Sequence, residues 1–113
     1  MKIQIKKGDN DAQCVEIEGE LDFHSSPDLR REFTKLIDQQ VQKVLVNLKK
    51  VDYIDSSGLA TFVELFQKMK RYGGKLVLFN LAQGVRSVFE IAKLDSIFKL
   101  ADSEKEALSL VSS

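Results

Sequence analysis

The sequence predicts an α/β fold: one domain with a mixed, mostly parallel β-sheet, an antiparallel N-terminal strand and about four packed α-helices. Three observations lead there. Polar and apolar residues alternate over residues 2–7 and 13–18, the period of a half-buried strand. Apolar residues recur at three- and four-residue spacing over 29–37 and 59–69, the period of a helix. Short apolar runs at 43–48 and 75–80 then alternate with these helical stretches, which implies right-handed strand–helix–strand crossovers and a parallel sheet.

The first two strands are separated by Gly8-Asp9-Asn10-Asp11, a hairpin-type loop, so they pair antiparallel. The second strand ends at Gly19-Glu20-Leu21-Asp22-Phe23-His24. A helix follows. Ser26 is the expected N-cap, Pro27 fits the first helical position, and Asp28 suits the positive end of the helix dipole. Its apolar stripe is Leu29, Phe33, Leu36, Ile37 and Val41. The strand at 43–48 reads as buried, and a second helix over about 58–71 carries Leu59, Phe62, Val63, Phe66 and Met69 toward the core. Tyr72-Gly73-Gly74 stops that helix, one glycine supplying the left-handed conformation. The strand at 75–80 comes next. A short helix marked by Val85, Val88, Phe89 and Ala92, a last strand at 96–101, and a terminal helix through about Val111 complete the chain. Ser103 with Glu106 three residues on makes a capping box for that last helix.

With 113 residues, one domain spanning 1–113 is expected, long enough to bury roughly 65% of its unfolded surface. A hydrophobic share of 43% beside a charged share of 30% belongs to a globular domain and not to a disordered chain. Seventeen basic and seventeen acidic residues cancel, so no electrostatic argument favours nucleic acid or an anionic membrane surface. The single Cys14 cannot close an intramolecular disulfide and reads as a reduced thiol in a strand. No signal-peptide core opens the chain, and no apolar run approaches the roughly 20 residues a membrane helix needs. A cytoplasmic protein is the expectation.

Polar chemistry gathers at residues 51–59, between the third strand and the second helix, with the helix opening at about Ser57 or Gly58. A helix start leaves its first amide N–H groups without intrahelical partners. Short side chains such as Asp55, Ser56 and Ser57 ordinarily cap there, and Ser57 is the better placed of the two serines. The sharper possibility is that Ser56 faces out and is displayed for modification. A phosphate on it would meet the positive end of the helix dipole and several free N–H donors.

Other chemistries fit poorly. Asp22, His24 and Ser56 are triad residue types, but no Gly-x-Ser-x-Gly elbow surrounds Ser56. One histidine and one cysteine give no N/S metal-ligand cluster. A phosphoacceptor aspartate at Asp52 or Asp55 would want paired carboxylates after the first strand, which instead ends in Lys6-Lys7. In a parallel sheet, Glu20 and Asp22 leave the second strand on the same edge as Asp55-Ser56, so this edge is a candidate acidic recognition surface.

Taken together, Gly19-Glu20-Leu21-Asp22 and Asp55-Ser56-Ser57-Gly58-Leu59 resemble the STAS family, specifically its stand-alone bacterial anti-sigma factor antagonists. The resemblance extends over nearly the whole chain. It includes the Val-Leu-Val-Asn-Leu strand at 44–48, Gly73-Gly74-Lys75-Leu76, and the Val-Phe-Glu-Ile and Ile-Phe elements within 85–98. One departure is visible: members of the family usually carry glycine where Lys93 stands before Leu94.

The resemblance implies a regulator of transcription that works by partner switching. The unmodified antagonist would bind an anti-sigma factor with serine kinase activity and so release a sigma factor. The same kinase would phosphorylate Ser56 to switch the antagonist off, and a PP2C-type phosphatase would reverse this. By the same resemblance Glu20, Asp22, Asp55, Ser56, Ser57, Gly58 and Leu59 form the partner-binding surface. The chain itself would be no enzyme and hold no cofactor, ATP and Mg²⁺ belonging to the kinase. Other members serve as scaffolds of stress-signalling assemblies, as parts of lipid-transport complexes, or as cytoplasmic ends of anion transporters, and a scaffold or interaction subunit is the alternative reading.

Overall fold

A computed structural model describes residues 1–112. Its sheet has five strands in the order β1-β2-β3-β4-β5: Lys2–Lys7, Gln13–Leu21, Lys43–Ile54, Lys75–Phe79 and Lys99–Ala101. β1 pairs antiparallel with β2, with Ile3 opposite Ile17 and Ile5 opposite Val15. The remaining pairings, β2–β3, β3–β4 and β4–β5, are parallel. Four helices connect and flank them: α1 (Ser26–Asp38), α2 (Ser56–Arg71), α3 (Gln83–Ile91) and α4 (Glu104–Ser112). No helix among the described residues is long and apolar enough to cross a membrane.

The strand periodicity sorts the core onto two faces. Val15, Ile17, Val44, Val46, Leu76 and Leu78 lie buried against the apolar stripes of α1, α2 and α3. Leu45, Val77, Phe79 and Ala101 face the other way and pack under Ala107 and Val111 of α4. Within the larger core, Phe33, Phe62, Phe89 and Phe98 follow one another with ring centroids 5.6, 6.2 and 5.7 Å apart. Each such aromatic pair adds about 0.5–1.5 kcal/mol beyond the area it buries. Phe62 is fully buried and Phe66 packs edge-on to Phe98 at 5.5 Å, so both serve the core.

Several element boundaries differ from the sequence expectation. β3 does not stop at Leu48 but continues to Ile54, so the 51–54 segment is strand. α2 opens at Ser56, ahead of Ser57 or Gly58. The last strand is only Lys99–Ala101, because Leu94–Ser96 forms a 3₁₀ turn. That turn is entered through Lys93 at φ 59°, ψ 27°, so the left-handed turn forms without a glycine.

Ser26 is not the N-cap of α1: the cap position is Ser25, and Ser26 lies inside the helix, buried, with its hydroxyl donating to the Asp22 carbonyl at 2.6 Å. After α2, Gly73 takes φ 80° and Gly74 N–H returns to the Met69 carbonyl at 2.8 Å, the C-terminal stop expected of the glycine pair. Ser103 caps α4, its hydroxyl accepting the Glu106 N–H at 3.1 Å.

Candidate functional site: the carboxyl edge of β2 and β3

Because β2 and β3 run parallel, their C-terminal ends emerge together, with Glu20 beside Tyr53 and Leu21 beside Ile54. The β2–α1 loop and the β3–α2 junction therefore meet at one edge of the sheet. The Asp55 N–H donates to the Leu21 carbonyl at 3.0 Å, extending the strand pairing to the helix start.

Asp55 is the N-cap of α2, in extended conformation at φ −112°, ψ −173°. Its Oδ1 accepts the N–H of Ser57 at 2.8 Å and of Gly58 at 3.2 Å, and its carbonyl accepts the Leu59 N–H at 3.0 Å. Ser57 does not cap. It contributes its N–H to Asp55, its carbonyl accepts the Thr61 hydroxyl at 2.9 Å, and its own hydroxyl makes no hydrogen bond among the described residues. The expectation of several free donors at this helix start fails for the same reason: the Asp55 carboxylate already holds two of them. A capping residue worth about 1 kcal/mol is thus Asp55.

The second carboxylate oxygen of Asp55 reaches across the edge. Oδ2 accepts the N–H of Phe23 at 3.2 Å, joining the helix start to the β2–α1 loop. Asp22 turns the other way and folds that loop on itself. Its Oδ1 accepts the N–H groups of His24 at 2.9 Å and Ser25 at 3.0 Å, while its own N–H donates to the Ser25 hydroxyl at 3.0 Å. The bond from the Ser25 amide does most to hold the Asp22 carboxyl below the usual aspartate pKa; burial opposes it, and the His24 amide and the Ser25 hydroxyl add to the lowering. The Ser25 hydroxyl in turn donates to the Glu20 carbonyl at 2.7 Å.

Ser56 is the first residue of α2 and is exposed, with no hydrogen bond to its hydroxyl among the described residues. Gly58 lies buried against β2. A Cβ there would stand 2.8 Å from Ile54 Cγ1 and 2.9 Å from the Leu21 carbonyl oxygen, so only glycine lets α2 start this close to the sheet. Leu59 is half-buried against the core and Glu20 is exposed.

Two shallow clefts border the edge. One, of about 390 Å³, is lined by Met1, Glu20, Asp22, His24, Ser25 and Asp28. The other, of about 280 Å³, lies between Phe23, Ser26, Pro27, Arg30, Ser57 and Ala60. Sequence periodicity does not single out Phe23 and Tyr53, which stand 73% and 51% exposed in the β2–α1 loop and near the end of β3. For Phe23 the available signal is an aromatic residue between a strand and a helix, outside any apolar period.

The STAS domain family model matches residues 2–107. The anti-sigma-B factor antagonist of Bacillus subtilis is 37% identical over 101 residues, covering 89% of this chain and 91% of that protein. The crystal structure of an anti-sigma factor antagonist from Mycobacterium paratuberculosis superposes with a TM-score of 0.90 at 20% identity, covering 99% of this chain and 94% of that one. The Bacillus cell fate determinant SpoIIAA in its phosphorylated form gives a TM-score of 0.76 at 22% identity, over 97% of this chain and 99% of that one. The two structural likenesses are of fold.

Proposed function

Since this chain belongs to the STAS domain family, we propose that it is an anti-sigma factor antagonist: a cytoplasmic binding module, and not an enzyme, that releases a sigma factor by occupying its anti-sigma factor. The 37% identity to a protein named for that role, over nine-tenths of both lengths, supports the reading. The partner is an anti-sigma factor with serine kinase activity, Ser56 is the residue it phosphorylates, and a PP2C-type phosphatase restores the hydroxyl.

The observation that carries this is the geometry of Ser56, exposed and unbonded beside a carboxylate that already serves α2. A kinase needs a hydroxyl that costs nothing to withdraw from the fold, and this one is unused. A phosphate brings about −1.5 to −2 charges. With the Ser57 and Gly58 amides taken, that charge meets the Asp55 carboxylate with two fewer donors to receive it. The helix dipole tempers the repulsion without removing it. Hence the fold persists while a surface complementary to the bare hydroxyl is lost. About 2.7 kcal/mol at the interface is a hundredfold in affinity.

The experiment is to incubate the protein with its cognate anti-sigma factor and ATP and to locate the phosphate by mass spectrometry. Ser56 carries it in the wild type. Ser56→Ala stays folded, escapes modification and binds constitutively, whereas Ser56→Glu binds more weakly. Phosphate on Ser57, or none on either serine, overturns the assignment.

A further inference from the structure

The loop beside Ser56 displays an aromatic ring that the core does not use. Phe23 is 73% exposed, while every other phenylalanine of the chain is buried or half-buried. The backbone beneath it is firmly held. Asp55 Oδ2 takes the Phe23 N–H at 3.2 Å, and the Asp22 carboxylate takes the next two amides. His24 meets the ring edge-on with centroids 5.5 Å apart. The ring walls the smaller cleft with Pro27, Ser57 and Ala60, next to the helix start. A large apolar side chain on a braced loop forfeits little conformational freedom when it is buried by a partner.

The charges around it are unequal. Arg30 on the cleft side is matched by Glu64 at 3.2 Å. Glu20, Asp22 and Asp55 form no ion pair among the described residues. The complement of such a surface is an apolar pocket rimmed by lysine or arginine.

Resting on the reading given above, we propose that Phe23 is the specificity-determining anchor of this surface, inserted into an apolar, basic-rimmed pocket of the anti-sigma factor, with Asp55 as the residue that positions its loop. The same carboxylate that starts α2 thus presents the ring, and Glu20 and Asp22 supply the rim that selects a basic partner over a neutral one.

The test is titration calorimetry of the unphosphorylated chain against its purified cognate anti-sigma factor at low and moderate salt. Phe23→Ala weakens binding about 30-fold or more, as for a central aromatic contact, with an unchanged melting temperature. Phe23→Leu retains most of the affinity. Glu20→Lys weakens binding and flattens its salt dependence. In the phosphorylation assay Phe23→Ala raises KM for the protein substrate and leaves kcat, because the hydroxyl is untouched. If Phe23→Ala binds within about threefold of wild type while Ser56→Glu binds more weakly than Ser56→Ala, the anchor is wrong and the antagonist reading stands. If the unphosphorylated wild-type chain does not bind the anti-sigma factor at all, the antagonist reading itself fails, and the anchor with it.

Discussion

Asp55 holds the Phe23 N–H at 3.2 Å across 32 positions of sequence, with the carboxylate oxygen that it does not use to cap α2. One side chain therefore sets both where the helix begins and where the β2–α1 loop lies. A hydrogen bond to a charged group is worth about 1.5–3 kcal/mol, so losing both functions together is costly.

Asp55→Ala is expected to destabilise the domain by about 1–3 kcal/mol, combining the lost cap with the lost loop contact. Ser57→Ala, whose hydroxyl caps nothing, is expected to stay within about 0.5 kcal/mol of wild type. Urea unfolding of the two variants decides between them. The reverse order would return the cap to Ser57.

Gly58→Ala places a methyl 2.9 Å from the Leu21 carbonyl, a backbone atom that cannot swing aside. The expected cost is about 1–3 kcal/mol, as for an overpacked core position. Amide chemical shifts of Leu21, Ser56 and Ser57 should move together. A variant as stable as wild type with unmoved shifts would mean the helix does not start this close to β2.

Asp22 gives a pH dependence of known sign. Its folded pKa is lowered, so its contribution is present above the unfolded aspartate pKa and is lost as pH falls through the folded value. Asp22→Asn keeps an oxygen to accept the Ser25 and His24 amides but removes the titration. Stability of that variant should be flatter with pH in the acid range than wild type. Carbon-13 titration of the Asp22 carboxyl at or above the ordinary aspartate value would contradict this.

Cys14 is half-buried in β2. Burial, then Glu104 and Glu16, raise its thiol pKa, with Lys6 acting the other way. The thiol is therefore protonated at neutral pH, and the associated stability is lost as pH rises toward the raised value. Iodoacetamide should modify it slowly in the native protein and faster in urea. Equal rates in the two states would show that the strand does not shield it.

Periodicity exposed the order of strands and helices and the shared edge of β2 and β3, because alternation and the 3.6-residue stripe report burial directly. It failed where the backbone departs from those periods. β3 carries an extra residue against β2, where Glu16 pairs with Asn47 but Glu18 with Lys50, and a second where Gly19 pairs with Val51 but Glu20 with Tyr53. Each bulge shifts the alternation, so the apolar period breaks after Leu48 although the strand runs on to Ile54. The last strand is shorter than the sequence predicts because Lys93 in left-handed conformation starts a 3₁₀ turn that leaves no periodic mark. At the site, the exposure of Ser56 followed from its place before the apolar stripe. The identity of the cap did not: Asp55, Ser56 and Ser57 are all good capping types, and only the backbone decides which one stands just outside the helix.

The two outer strands carry a consequence of their own. β1, on one border of the sheet, is Lys-Ile-Gln-Ile-Lys-Lys with its lysines exposed, and β5, on the other, is three residues long. Lysines on a border strand and a very short border strand both discourage another chain from adding its backbone to the sheet. Recognition by strand addition, which reads backbone more than side chains, is thereby disfavoured in this domain. Recognition then falls to side chains, where a single substitution can change the choice of partner without disturbing the sheet.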